Sequence, residues 1–506
     1  MNFRAVARML GIVLLLLAGF LLVPALITVI YEEWSTLTAF LISAALTALA
    51  GGALAWIYRG AGLTEDGKPD YFRREGIAVV GLSWLVGGVA AALPFTFAGT
   101  FDSFIDSLFE SISGLTTTGS TVLSPEGIDS MSHGIAFWRS FTHWLGGFGI
   151  VMVFVVLFPT GGRSLFRSEI PGISREAGHQ RVRDSALALM RIYVGISALE
   201  FVLLIGAGMG VFDSALHTFG TIATGGFSNH SESVAYFQSV PIEMIITVFM
   251  FFCGINFTIY DRLLRVGPRP AWRSFIGSTE ARAYVGITFG ATLIIAFVLW
   301  FWGGSNGLSE GQGADLPDYR SFGRAMRDSF FQVVCMNTST GFGTADFDRW
   351  PQVCRVMLML LAVIGACAGS TGGGIKVVRI LIVGRAALVG VKRFVRPRAI
   401  HSVRMDGQTL DEGIVASVTG YFALWILVSL GGTLFLSLYG YDLVTSMTAV
   451  LATLNNIGPG LSNVGPSMNF ADMPALGKLL LTVFMILGRL EFYAVVALFV
   501  PGFWKR

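Results

Sequence analysis

Four short stretches decide how this chain reads: Thr116-Thr117-Thr118-Gly119-Ser120, Ile222-Ala223-Thr224-Gly225-Gly226, Thr338-Ser339-Thr340-Gly341-Phe342 and Asn455-Asn456-Ile457-Gly458-Pro459. Their glycines at 119, 225, 341 and 458 are separated by 106, 116 and 117 residues. Each turn follows a stretch of 10–15 residues, too short for a bilayer core that needs about 20 apolar residues per helix. The stretches share a start signal: Asp102-Ser103, Asp213-Ser214, Asp328-Ser329, with Asp442 in the fourth. Asp or Ser at a helix start satisfies free N–H groups, and a carboxylate there suits the helix dipole. Each stretch therefore reads as a short helix that enters from one face and stops partway down. Irregular backbone at membrane depth is tolerated only where it lines water or is buried in protein. Four such segments imply one shared pore.

Glycine reaches backbone angles denied to other residues, so successive carbonyls can point into the pore axis. A ring of carbonyls can replace a cation's hydration shell. The expected cation ligands are Thr117, Thr118 and Gly119; Ala223, Thr224 and Gly225; Ser339, Thr340 and Gly341; and Asn456, Ile457 and Gly458. The fourth loop lacks the threonine of the others, which changes its side chains but not its carbonyls. The bland alternative is four re-entrant loops whose small residues serve close helix packing.

Around these loops lies an apolar chain. It has 506 residues, 54% hydrophobic and 13% charged, where soluble proteins carry about 25% charged residues. The expected fold is an all-α polytopic membrane protein with ten transmembrane helices. The spans read as 9–30, 34–58, 77–98, 133–158, 186–211, 240–260, 283–302, 355–383 (interrupted), 413–438 and 477–499. The first is too long for a signal-peptide core and is followed at once by a second, so both are kept as a leading hairpin. Ten spans place both termini on one face. That face, with loops 59–76, 163–185, 261–282 and 376–404, holds 26 of the 35 Lys and Arg, and the other face holds five. The positive-inside rule then makes it cytoplasmic. The outer face carries 17 carboxylates, which modestly concentrates cations. A net charge of +3 does not suggest nucleic acid. The four cysteines have no metal-like spacing and read as buried small hydrophobes. The chain divides into a leading hairpin and loop at 1–75 and units at 76–170, 171–275, 276–404 and 405–506.

The span after the third loop is broken by Ala366-Cys367-Ala368-Gly369-Ser370-Thr371-Gly372-Gly373-Gly374-Ile375-Lys376. Four glycines with Ser and Thr should unwind a helix, at ~1 kcal/mol per Gly relative to Ala. A phosphate loop would need Lys directly after Gly; here Ile375 intervenes. The segment is either a packing kink or a flexible barrier beneath the loops. Arg489, in the middle of the last span, is a charge at membrane depth and so a functional candidate. It either raises a barrier to cations or pairs with a carboxylate such as Glu200. Arg139, with His143-Trp144-Leu145-Gly146-Gly147, reads as an interfacial anchor. Asp106 and Glu110, spaced i,i+4, either draw cations to the mouth or serve the helix dipole. His133, His179, His217, His230 and His401 show no partner pattern. The basic run 384–404 contacts lipid headgroups or docks a regulatory protein.

These motifs resemble the Trk/Ktr/HKT superfamily of potassium transporters, and within it the bacterial TrkH/TrkG branch, over essentially the whole chain. The resemblance implies four non-identical helix–loop–helix copies, with filter glycines matching Gly119, Gly225, Gly341 and Gly458. Glycine in the first loop is the family's potassium-selective pattern. The leading hairpin fits the TrkH/TrkG branch. It also implies a gate formed by Gly369, Ser370, Thr371, Gly372, Gly373, Gly374 and Lys376 with Arg489. K⁺ is the expected transported ion, taken up across a bacterial inner membrane as in a channel, or in symport with Na⁺ or H⁺. A homodimer with one pore per protomer is expected. So is a cytosolic TrkA-type ring that binds NAD(H) and adenine nucleotides, since this chain has no nucleotide fingerprint and no organic cofactor of its own. An intramembrane lipid enzyme fits poorly: Glu200, Glu243 and Glu491 are scattered, and no nucleophile–base pair appears.

Overall fold

The computed structural model describes residues 1–62, 73–157, 175–304, 319–398 and 401–504. Parts of the basic loops at 59–76 and 163–185, and the unit boundary at 170, lie outside the described residues. The described residues are mostly helical, as expected; a two-stranded ribbon (Arg404–Met405 with Gln408–Thr409) is the one sheet among them.

Two long helices, Phe3–Ile30 and Trp34–Ile57, form the leading hairpin. They cross where glycine faces glycine. A Cβ on Gly11 would stand 2.7 Å from the Gly51 carbonyl, and one on Gly51 would stand 2.8 Å from the Gly11 carbonyl. Small residues permit this approach where no water drives helices together. The hairpin is tied to the body by Glu33, which accepts hydrogen bonds from the His133 and Gly134 N–H groups at 2.7 and 3.0 Å.

The remainder repeats one pattern: long helix, half-helix, loop, return helix. The half-helices are Phe104–Leu115, Val211–Ile222, Phe322–Asn337 and Leu443–Leu454. Three have 12 residues and the third has 16, rises of only about 18 and 24 Å, so they stop inside the apolar layer. Ser103 and Asp442 cap the first and fourth, as expected, accepting from Ile105 N and Thr445 N. The other two differ. Gly210 precedes the second half-helix, with Asp213 in its first turn. The third begins at Phe322, so Asp328 lies well inside it, beside Arg324 and Arg327.

Among the described residues, six helices are long and apolar enough to cross a membrane unaided. Three of the return helices are broken. Val240–Cys253 and Phe257–Val266 meet at a bend of 88°. Gln352–Ile364 and Val377–Val395 flank the glycine-rich segment. Ala475–Arg489 ends at Leu490, Glu491 and Phe492 before Tyr493–Phe499. The sequence suggested only the middle break. Arg489 is therefore the last residue of a helix, at the break in the middle of that span.

Candidate functional site

Each half-helix runs into its loop in the same way. Thr117, Thr224, Ser339 and Asn456 all adopt left-handed backbone, with φ of 52°, 54°, 57° and 54°. Two residues later comes a glycine, also left-handed: Gly119, Gly226, Gly341 and Gly458, with φ of 82°, 79°, 85° and 98°. This alignment corrects the register of the second loop. Its equivalent glycine is Gly226, not Gly225. Gly225 occupies the position of Thr118, Thr340 and Ile457, and all four of these residues donate their N–H to the carbonyl five residues back. Each ring glycine stands four residues after the last helical residue, a count that the folded half-helices supply.

The four glycines close a ring. A Cβ on Gly119 would lie 2.2 Å from the Gly225 carbonyl oxygen, and one on Gly226 would lie 1.9 Å from that of Thr340. One on Gly341 would lie 2.2 Å from the Ile457 oxygen, and one on Gly458 would lie 3.0 Å from the Thr118 oxygen. Each loop thus abuts the next, and the fourth returns to the first. Real side chains essentially never come as close as the first three of these distances, and the fourth is tighter than most, so a side chain at any of the four positions would force its neighbour to shift. Two side-chain bonds close the seam between the fourth and first loops. Ser120 Oγ donates to the Gly458 carbonyl (3.0 Å), and Asn456 Nδ2 donates to Thr118 Oγ1 (2.9 Å). A cavity of about 330 Å³ reaches all four glycines from the side where the chain leaves the loops.

Behind loops one and two stands a buried support whose residues the sequence placed elsewhere. Glu110 and Arg139 are almost fully buried and pair at 2.6 Å. Glu110 also accepts from Thr121 Oγ1 and Val122 N, and Arg139 Nη1 donates to the Ser228 carbonyl at 2.8 Å. The guanidinium lies 3.6 Å from the centre of the Phe227 ring. Arg139 is thus no interfacial anchor, and Glu110 does not sit at the mouth to attract ions. Asp106, one turn earlier, pairs with Lys478 at 2.6 Å. His143, one turn after Arg139, spans the same two loops. Its Nδ1 faces the Gly114 carbonyl (2.8 Å) and its Nε2 accepts from Phe227 N (3.3 Å). That pattern needs the neutral ring with its proton on Nδ1.

On the opposite side of the ring lies the segment 365–376. Gly369 and Gly374 are left-handed, as is Lys376, whose ammonium donates to the Gly372 carbonyl. Gly373 N donates to Ser339 Oγ, and Gly374 N donates to the Asn455 carbonyl at 3.0 Å. Thr371 presents its carbonyl to Arg489 Nη1 at 2.8 Å. Ser370 folds back onto the Cys367 carbonyl (2.6 Å), and Glu280 accepts from Ala368 N (2.6 Å). The segment is therefore not a simple kink: its own N–H groups bond to loops three and four. Arg489 is buried, and its Nε and Nη2 have no acceptor among the described residues. It forms no pair with Glu200. Glu491 pairs with Arg379 instead.

The ring of loops thus has an open cavity on one side and, on the other, the glycine-rich segment bonded to loops three and four, with Arg489 held on its Thr371 carbonyl. Such an arrangement can strip and hold a cation at the ring and impede it beyond. The TrkH family profile, described as a cation transport protein, matches residues 39–506. The chain is 37% identical to the Trk system potassium uptake protein TrkH of Escherichia coli strain K12, over the full length of both. It is 31% identical to TrkG of the same strain over 99% of each chain. The crystal structure of the potassium transporter TrkH from Vibrio parahaemolyticus superposes with a TM-score of 0.87, at 33% identity and full coverage of both chains. The chain belongs to the TrkH family of cation transport proteins.

Proposed function

We propose that this protein takes up K⁺ across a bacterial inner membrane, down the ion's electrochemical gradient, through the ring formed by Gly119, Gly226, Gly341 and Gly458. The observation that carries this reading is the cyclic fit of each glycine against the preceding carbonyl of the next loop. The carbonyls of Thr117–Gly119, Thr224–Gly226, Ser339–Gly341 and Asn456–Gly458 are the ion's ligands. The residues 1–75, 76–170, 171–275, 276–404 and 405–506 form the hairpin and the four pore units, with both termini cytoplasmic. Segment 369–376 and Arg489 are the gate. The family resemblance supports a homodimer regulated by a cytosolic TrkA-type ring that supplies the nucleotide site.

The test is ⁸⁶Rb⁺ uptake into proteoliposomes. Uptake that proceeds without a Na⁺ or pH gradient, and that loses K⁺-over-Na⁺ preference in Gly119→Ser, supports the reading. Uptake that stops without a co-ion gradient would instead assign coupled symport. Unchanged selectivity in Gly119→Ser would remove the filter assignment.

A further inference from the structure

We propose that Ser339 is a positioning residue that latches the 365–376 segment to the base of the ring, and that a cation at that base competes with the latch. The inference rests on the ring being a cation filter. The four residues that open the loops, Thr117, Thr224, Ser339 and Asn456, share one backbone conformation but differ in what holds them. Thr117 Oγ1 has no partner among the described residues. Thr224 Oγ1 donates to the Ala223 carbonyl (2.6 Å). Asn456 Nδ2 reaches Thr118 and the Met485 carbonyl. Ser339 Oγ donates to the Thr338 carbonyl (2.6 Å) and accepts from Gly373 N. Of the four it is the one bonded to that segment, the plug.

The next bond makes the competition. The carbonyls of Thr116, Ala223, Thr338 and Asn455 stand at equivalent positions, at the base of the four loops. Gly374 N donates to that of Asn455 at 3.0 Å. The plug backbone is pressed against both neighbours: a Cβ on Gly372 would lie 2.8 Å from the Thr338 oxygen, and one on Gly373 would lie 2.1 Å from the Asn455 oxygen. While the plug is seated, the Asn455 carbonyl is polarised toward an N–H. A cation at the base draws on the same oxygen and repels the two amide protons and Arg489. Ion and latch therefore oppose each other, and the coupling is reciprocal: whatever loosens the latch raises the ion's affinity. The permeant ion becomes a ligand of its own gate.

The test uses the full chain in liposomes without any partner protein, reading Rb⁺ uptake against Rb⁺ concentration. Ser339→Ala removes the acceptor for Gly373 N. It should lower the half-saturating Rb⁺ concentration and raise uptake at low Rb⁺, each roughly threefold to tenfold, the shift expected from one net hydrogen bond. Ser339→Thr keeps the oxygen and should move both values back toward wild type. A Ser339→Ala protein with higher maximal uptake but an unchanged half-saturating concentration would overturn the competition. In the wild-type chain, amide exchange over residues 370–376 should be at least about threefold faster in K⁺ than in N-methylglucamine at equal ionic strength. Equal exchange overturns the proposal even where the alanine variant does not fold. If the filter reading itself were at fault, wild type would show no K⁺-selective uptake at all. A selective wild type indistinguishable from Ser339→Ala would overturn the latch alone.

Discussion

Gly226 packs so closely on loop three that a Cβ there would stand 1.9 Å from the carbonyl oxygen of Thr340. Its neighbour Gly225 is crowded differently: a Cβ there would stand 2.4 Å from the His143 ring. One obstacle is backbone and the other is a side chain. Gly226→Ala should therefore cost at least tenfold in K⁺-over-Na⁺ selectivity, ~1.4 kcal/mol, and no side-chain change should restore it. Gly225→Ala should be partly restored by His143→Ala. Bi-ionic flux in proteoliposomes checks both, and equal rescue of the two would contradict the corrected register.

Arg489 carries a charge under the ring and touches the plug through Thr371. On the proposed gate, removing it takes away both a positive barrier and an anchor. Arg489→Ala should raise basal Rb⁺ flux at least about tenfold, and deletion of Gly372–Gly374 should act in the same direction. Flux per reconstituted protein is the measurement, and equal or lower flux would unseat the gate.

Glu110 and Arg139 form a buried pair, with Glu110 also bonded to Thr121 and Val122 and Arg139 to the Ser228 carbonyl. Removing one partner leaves the other charge buried and uncompensated, a loss of about 3–5 kcal/mol. Glu110→Leu or Arg139→Met alone should sharply lower thermal stability in detergent, and the double variant should recover part of the loss. Strict additivity of the two changes would show that the pair does not act as a unit.

The hairpin crossing at Gly11 and Gly51 has no room for a side chain. Gly51→Leu overpacks it, and about 1–3 kcal/mol of destabilisation is expected. The melting temperature in detergent should fall, while Rb⁺ selectivity should hold, because the hairpin does not contribute to the ring.

Much of the architecture was legible from local pattern. Apolar stretches near 20 residues gave the long helices, because bilayer thickness converts directly into helix length. The half-helices showed as stretches too short to span, and Ser103 and Asp442 were readable as caps. The ring glycines of loops one, three and four were legible because no other residue tolerates that backbone so near a neighbour. Loop two misled, since two adjacent glycines at 225 and 226 both satisfy a composition rule and only the count from the end of the helix separates them. The break at Gly254–Asn256 was hidden because its flanks remain apolar, and that at Leu490–Phe492 because Arg489 and Glu491 read as charges within one continuous span.

Chain chemistry alone thus determined a polytopic helical protein with four interrupted units and a glycine-rich break, since length, hydropathy and backbone freedom are properties of short segments. Which residues face one another was decided only by the tertiary structure. It turned Arg139 from a membrane anchor into the partner of Glu110, sent Arg489 to the Thr371 carbonyl rather than to Glu200, and seated the plug on Ser339 and Asn455. The physical reason is that a buried charge or amide takes whatever partner the packed fold brings within about 3 Å, and contacts between residues tens to more than a hundred positions apart leave no periodic trace along the chain.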